Sequence, residues 1–418
     1  MNNRILQRLK ESRSILWALI WNMGGICFYY LCRWMINIAA IRLSTNYLDA
    51  GTLTLAVSIT GIWNVIAFFS VRNIQISDIT CAYTDGEYVS FRILTVSVAI
   101  FLCMIHALLF TGNINRVLVI SIFMLTIASA AYADVLHGIL QKHWRMDLIG
   151  AFNALRGISI LIPFVILFKL FDLLVAVIGM AFFSIVFTFT FDWRFSRKYA
   201  DIRISFKFSR LTPLIKICFP LMIVSLLAYL IPSVTRMALE KLTDTESLGI
   251  YGAVTLPATI IQTVASSAFA PFASIFTRTL SEKNYRGFLR TFWTGILGIV
   301  ILFLLFYWSS YLFGEGLMAL LFGVRIVHYT YLFREATVSC FLISVSWFGV
   351  IPLTVTRNIK TILIIYLSGI TTCIALLKVM IENFGLSGAN YVQIISYAII
   401  AIAILVSVCI HTKKEFKR

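Results

Sequence analysis

The stretch Ser14–Ile41, SILWALIWNMGGICFYYLCRWMINIAAI, follows a basic leader that carries Arg4, Arg8, Lys10 and Arg13. Roughly 20 apolar residues suffice for a helix to cross the hydrocarbon core of a bilayer, and this run exceeds that. It is also far longer than the apolar region of a cleavable signal. It therefore reads as a retained first transmembrane helix that starts in the cytoplasm. One charged side chain, Arg33, lies inside it, past its middle.

Eleven further apolar runs follow, near residues 49–71, 91–110, 116–140, 147–168, 172–191, 214–240, 249–277, 288–313, 331–355, 361–381 and 387–410. They are continuous rather than alternating, which excludes a membrane β-barrel. Over 418 residues the chain is 60% hydrophobic and 13% charged, with mean hydropathy +0.92. A soluble domain carries about 25% charged residues, so this chain has too little polar surface to face water. The expected fold class is all-α and integral to the membrane, with about 12 transmembrane helices, and a soluble enzyme is excluded.

Loop charge sets the expected orientation. With the N-terminus inside, cytoplasmic segments hold 25 of the 35 Lys and Arg residues, Arg72 and Arg92 among them, and nine of the 18 acidic residues. That side carries +16 of the net +17, the asymmetry that membrane insertion demands. Both termini are expected in the cytoplasm. The basic charge needs no nucleic acid to explain it, and attraction to anionic lipid headgroups is a by-product. Eight scattered cysteines with no C-x-x-C pair suggest neither disulfides nor a metal site.

The longest polar stretch, 192–213, lies near the middle of the chain. It divides the sequence into an N-terminal six-helix lobe (1–191), a cytoplasmic linker and a C-terminal six-helix lobe (214–418). Transporters are often built from such repeats. A short echo supports one here: the segment from Asp49 to Ile59 matches the segment from Glu246 to Leu256 at constant offset, and each opens a helix. Pro220 and Pro232 fall in the seventh run, and Pro257 and Pro271 in the eighth. Proline kinks helices, so these two are expected to bend and to line a cavity.

Enzyme signatures are missing: no phosphate loop, no G-x-S-x-G, no H-E-x-x-H, and no cofactor motif. The informative groups are charges at membrane depth. Arg156 lies near the middle of the fifth run, Arg33 in the first, and Arg236 in the last turns of the seventh. A charge at the bilayer centre costs at least about 3 kcal/mol, so each should face a partner or a wet cavity. The guanidinium fork suits phosphate oxygens, and three of them together would bind an anionic headgroup. Snorkelling of Arg33 and Arg236 to the interface, or an ion pair of Arg156 with Asp134, are the bland alternatives. Asp134 and His137, one turn apart, form a candidate ion-coupling pair. Tyr29, Tyr30, Trp34 and Trp63 could stack on sugar faces.

Three segments carry a family likeness: Leu48–Ser58 (LDAGTLTLAVS), Ile217–Val254 (ICFPLMIVSLLAYLIPSVTRMALEKLTDTESLGIYGAV) and Leu320–Gly323 (LLFG). In these the chain resembles the polysaccharide flippase family, the O-antigen or capsule repeat-unit transporters of the multidrug, oligosaccharidyl-lipid and polysaccharide exporter superfamily. The resemblance implies two six-helix lobes around a central cavity that opens alternately to either side. It implies transfer of undecaprenyl-pyrophosphate-linked oligosaccharide from the cytoplasmic to the periplasmic leaflet of a bacterial inner membrane, in lipopolysaccharide or capsule assembly. A polysaccharide polymerase and a chain-length regulator would be partners. Related flippases hold the pyrophosphate with arginines on the first helix and near the second; Arg33 matches by helix and approximate depth, not by motif, and Arg72, which closes the second run on the cytoplasmic side, is a further candidate whose bland alternative is a positive-inside anchor. Asp49 matches the family's acidic position after the first helix. Arg236 matches the arginine of the seventh-helix motif, with Thr235 where the family often has an aspartate. Two rivals are a multidrug or cation antiporter of the same superfamily, which would want deep carboxylates, and a membrane-embedded polysaccharide polymerase, which would want a larger external loop than 314–330.

Overall fold

The computed structural model describes residues 2–44, 47–78 and 81–415. Described residues are helical almost throughout, and none of them forms a strand. The helices are α1 (Asn2–Leu43), α2 (Leu48–Phe68), α3 (Val71–Ser77), α4 (Asp85–Phe110), α5 (Ile114–Lys142), α6 (Met146–Leu170) and α7 (Leu173–Phe187). A π-helical turn, Thr188–Trp193, joins α7 to the short α8 (Arg194–Ser196). Then come α9 (Phe208–Leu242), α10 (Thr245–Thr255), α11 (Thr259–Ser281), α12 (Tyr285–Phe322), α13 (Thr330–Val355) and α14 (Ile359–Glu415).

Ten of the described helical stretches are long and apolar enough to cross a membrane. The last, Ile359–Lys413, is broken at Gly385, whose φ of 55° and ψ of −128° lie outside the helical region. Glycine adopts that conformation without a Cβ penalty, and the stretch becomes two spans. The pair α10 and α11 covers the predicted eighth run. The observed number is thus in keeping with about twelve. Large apolar side chains such as Leu109, Leu170, Phe208, Leu305 and Leu312 are exposed on these helices. A water-soluble monomer rarely shows such contiguous apolar surface, whereas lipid requires it.

The prolines act unequally. The seventh run continues as the single helix α9 through Pro220 and Pro232. The eighth breaks between α10 and α11, at Leu256–Ala258, where Pro257 sits. A proline withdraws a backbone donor, and here the helix stops rather than bends.

The chain divides into two compact units, Met1–Leu43 with Ile59–Met222, and Ser44–Ser58 with Ile223–Arg418. In the first unit α1 lies against α6 at backbone distance. A Cβ on Gly25 would overlap the Gly150 carbonyl, and one on Gly150 would overlap the Trp21 carbonyl. Small residues allow such approach where no hydrophobic force separates helices from lipid. The polar stretch after α8 is fastened to the start of α4. The Ser205 amide donates to Ser90 Oγ (2.8 Å), Arg210 Nε donates to Glu87 Oε1 (2.7 Å), and Gly86 makes room for the Arg203 carbonyl. Thr84 and Glu87 cap α4 reciprocally, satisfying two backbone donors at its first turn.

In the second unit the two echoed segments meet each other. A Cβ on Gly51 would overlap the Thr245 carbonyl, one on Gly249 the Tyr47 carbonyl, and one on Gly252 the Thr54 hydroxyl. The acidic-glycine start of α2 and the Leu-Gly-Ile-Tyr-Gly start of α10 are therefore one packed joint. This gives the two family-like segments a shared structural purpose.

Candidate functional site

Helix two does not run straight to Arg72. Phe69 (φ 44°) and Ser70 (φ 53°) are both left-handed, which ends α2 and restarts the chain as α3. Left-handed backbone costs roughly 1–2 kcal/mol per residue for an L-amino acid, so neighbours must hold it in place. Arg92 does so. Its Nη1 donates to the Ala67 carbonyl (2.7 Å), and Thr95 Oγ1 donates to the same oxygen (3.0 Å). Arg92 Nη2 donates to Asp134 Oδ2 (2.8 Å), and its guanidinium lies 5.4 Å from the Phe68 ring centroid.

Asp134 is shared. Arg72 Nη1 donates to its other oxygen, Oδ1 (3.1 Å), and Arg72 Nη2 donates to Gln141 Oε1 (2.8 Å). The Arg92 side chain is 0% exposed and that of Arg72 is 23% exposed. The sequence reading counted Arg92 among the charges of the cytoplasmic segments; in the structure it lies in α4 and is fully buried. Tyr30 on α1 is within electrostatic range of both Arg33 and Asp134. Arg33 itself is half-buried, with its guanidinium 6.0 Å from the centroid of the Tyr29 ring one turn earlier.

A second network lies within the same unit. Asp192 receives Arg156 Nη2 on Oδ2 and forms a 2.7 Å hydrogen bond from Oδ1 to His137 Nε2. Arg156 also donates to Thr188 Oγ1 (3.0 Å), and Thr188 continues to Ser129 (2.8 Å). All three charged or titratable partners are buried, Arg156 at 2% and Asp192 at 0% exposure. Arg156 thus pairs with Asp192 and not with Asp134, the partner considered from sequence. Arg156 Nε and Nη1 have no partner among the described residues. The π-turn is what carries Thr188 and Asp192 to this place. Its wider winding keeps the chain helical beyond Phe191, where the sequence reading began the linker. Such turns recur at functional sites.

The second unit holds the other nominated groups. Asp49, in the first turn of α2, accepts from Ser44 Oγ (3.0 Å). Arg236 on α9 is half-buried, with Nε unpartnered among the described residues, and feels Tyr251 and Cys340 electrostatically. Thr235 turns back to the Ile231 carbonyl (2.7 Å). A polar chain that the sequence reading did not nominate runs from Gln393 to Tyr251 (3.0 Å), to Asn390 (2.9 Å) and to Glu335 (3.0 Å), with Ser387 on the other oxygen of Glu335 (2.9 Å). The structure therefore brings Arg72, Asp134 and His137 into one unit with Arg33 and Arg156, and puts Asp49 and Arg236 in the other. Of the aromatic candidates, Trp63 donates to His106 Nδ1 (3.0 Å). Among the described residues no group of His, Cys, Asp and Glu could hold a metal ion.

The sequence-only reading missed Arg92 and Asp192. Each sits within a turn or two of the end of an apolar run, where a charge reads as loop. The available signal was the spacing of Thr188 and Asp192, which puts both on one helix face.

An all-helical chain of about twelve spans, with ion pairs buried inside its helix bundles, has the architecture of a membrane transporter. The fold is that of the MATE transporters. The chain is similar to an outward-facing multidrug resistance MATE transporter of the MOP superfamily, with 16% identity, 97% of this chain and 96% of that one covered, and a TM-score of 0.68. It is similar to the eukaryotic MATE transporter AtDTX14 (12% identity, 98% and 99% covered, TM-score 0.66) and to VcmN of Vibrio cholerae in its bent form (13% identity, 96% and 97% covered, TM-score 0.63). The family described as "Polysaccharide biosynthesis protein" matches residues 68–274. No curated protein matches the chain in sequence. The family match and the shared fold bear out the resemblance to the polysaccharide exporters of the MOP superfamily.

Proposed function

We propose that the chain is a flippase for lipid-linked oligosaccharide repeat units, joined to an undecaprenyl carrier through pyrophosphate. It would carry them from the cytoplasmic to the periplasmic leaflet of a bacterial inner membrane by alternating access, with both termini in the cytoplasm and no chemistry on the sugar. One observation carries this reading. In the first unit three arginines (Arg72, Arg92, Arg156) pair with two carboxylates (Asp134, Asp192), and a fourth, Arg33, stands beside the Tyr29 ring. The excess is cationic, which suits an anionic cargo and opposes a cationic drug. Moving a pyrophosphate through lipid unaided means dehydrating it, whereas arginines in a wet interior replace its water. In this proposal Arg33 and Arg72 of the first unit receive the headgroup, Arg236 is a separate candidate cation of the second unit, and Asp49 orders the start of α2. Arg156 is taken as a structural cation, because its charge is already matched by Asp192. The family match to polysaccharide biosynthesis supports the same cargo. The multidrug reading draws on the fold neighbours, which include multidrug resistance MATE transporters, and stands as the alternative.

The test is complementation of a bacterial strain lacking its own repeat-unit flippase, supplied with its own sugar. Wild type is expected to restore long surface polysaccharide. Arg33→Ala, Arg72→Ala and Arg236→Ala, at matched expression, are each expected to reduce it roughly tenfold or more, the worth of a charge-assisted hydrogen bond. Restored export with fully active variants would remove these arginines from the site. Units that reach the periplasm without the protein and stay unpolymerised until it is added would instead make it a polymerase. Drug resistance without polysaccharide would make it a multidrug exporter.

A further inference from the structure

We propose that Asp134 is an internal counter-ion that Arg72 exchanges for a phosphate or pyrophosphate group, and that Arg92 is the positioning residue that makes the exchange affordable. The proposal rests on the anionic cargo of the flippase reading. It adds a device: a built-in carboxylate that occupies the cationic site between cargoes.

The geometry is asymmetric in the way such a device needs. Asp134 has two oxygens and two arginines, Oδ1 to Arg72 at 3.1 Å and Oδ2 to Arg92 at 2.8 Å. Taking the only partner from a buried carboxylate strands its charge and is strongly unfavourable. With two partners, one can leave. Arg92 is held at its other end by the carbonyl of Ala67, which the break in helix two has freed, and it has no exposed surface. It stays. Among the described residues Arg72 is held otherwise only by the neutral Gln141, and it reaches the surface. It is two residues past the left-handed pair Phe69 and Ser70, and so rides on the short α3 rather than on a continuous helix. Strain of that kind persists where the surroundings over-determine it and often marks a moving part.

Charge completes the case. Arg72, Arg92 and Asp134 sum to +1, and Tyr30 lies within electrostatic range of both Asp134 and Arg33. An arriving phosphate would find Arg33 and, once Arg72 lets go of Asp134, a second planar fork that matches its oxygens. Departure reverses the exchange, because Asp134 competes for Arg72 and lowers the affinity enough for release. A site built of arginines alone would hold a pyrophosphate too tightly to deliver it.

The experiment uses the full-length protein in nanodiscs and measures binding of farnesyl pyrophosphate, inorganic pyrophosphate and farnesol. Arg92→Gln leaves Asp134 to Arg72 alone, and pyrophosphate binding is expected to weaken about tenfold. Arg92→Gln combined with Asp134→Asn removes both charges together and frees Arg72. Binding is then expected to recover to wild type or beyond. Arg92→Lys, which keeps the charge, should stay near wild type. A purely structural role for Arg92 predicts instead that the double variant is no better than the single. That result, or an Arg92→Gln protein that binds like wild type while remaining monodisperse, overturns the counter-ion but leaves the flippase reading intact. Wild type that binds neither pyrophosphate, or farnesol as well as farnesyl pyrophosphate, overturns both. Preference for farnesyl over inorganic pyrophosphate assigns the anion to a lipid headgroup, and equal affinity assigns it to the free ion; the double variant must outbind the single in either case.

Discussion

Replacing Gly249 with valine is expected to abolish recovery of folded protein, and Gly51→Val is expected to do the same. Each glycine faces a backbone carbonyl across the joint between α2 and α10, so even a Cβ would overlap that oxygen. Overpacking a core typically costs about 1–3 kcal/mol where side chains can give way. Here the obstacle is main chain on both sides, so the cost lies at or above the top of that range. The remedy, separating the helices, also opens the contact of Gly252 with Thr54. The measurement is the monodisperse fraction and thermal midpoint of detergent-purified protein. Gly298→Val is the control, since nothing lies within 4 Å of a Cβ there, and it should behave as wild type. Normal yield and melting for both joint variants would show that the two echoed segments do not pack in this way.

Removing the carboxylate of Asp192 has the second large effect. Asp192→Ala leaves Arg156 buried with no counter-charge, and breaking a buried pair in that way costs about 3–5 kcal/mol. Asp192 is fully buried, so solvent screens little of this. Arg156→Met alone strands the carboxylate, although His137 retains a hydrogen bond to it, and the loss should be smaller. The combination Arg156→Met with Asp192→Leu removes both charges and should recover most of the stability, since apolar replacement of a whole buried pair is often neutral. Thermal unfolding of the four proteins forms a double-mutant cycle. A double variant as unstable as the sum of the singles would deny the pairing. A restored double variant that also exports polysaccharide would establish that Arg156 serves the fold and not the cargo.

Particular residues show where sequence reading reached and where it stopped. Arg33, Arg72 and Arg156 were visible because a guanidinium within or beside an apolar run is costly wherever the run packs. Arg92 and Asp192 carry the same cost but lie near the ends of runs, where charge is ordinary. The break in helix two was invisible, because Phe-Phe-Ser has no glycine or proline to announce it. The break in the eighth run was announced by Pro257, while Pro220 and Pro232 were passed by α9 without interruption.

By itself the sequence determined that this chain lives in lipid, with about a dozen helical spans and a likeness to polysaccharide exporters. These are local properties: a window of about 20 residues either tolerates hydrocarbon or does not, and a motif is read along the chain. Which charge meets which was decided only by the tertiary structure. Asp192 lies 36 positions from Arg156 and 55 from His137, and Asp134 lies 42 from Arg92. A buried ion pair is set by how neighbouring helices are rotated and spaced. A single π-turn or two left-handed residues alter that rotation, and neither leaves a mark in hydropathy.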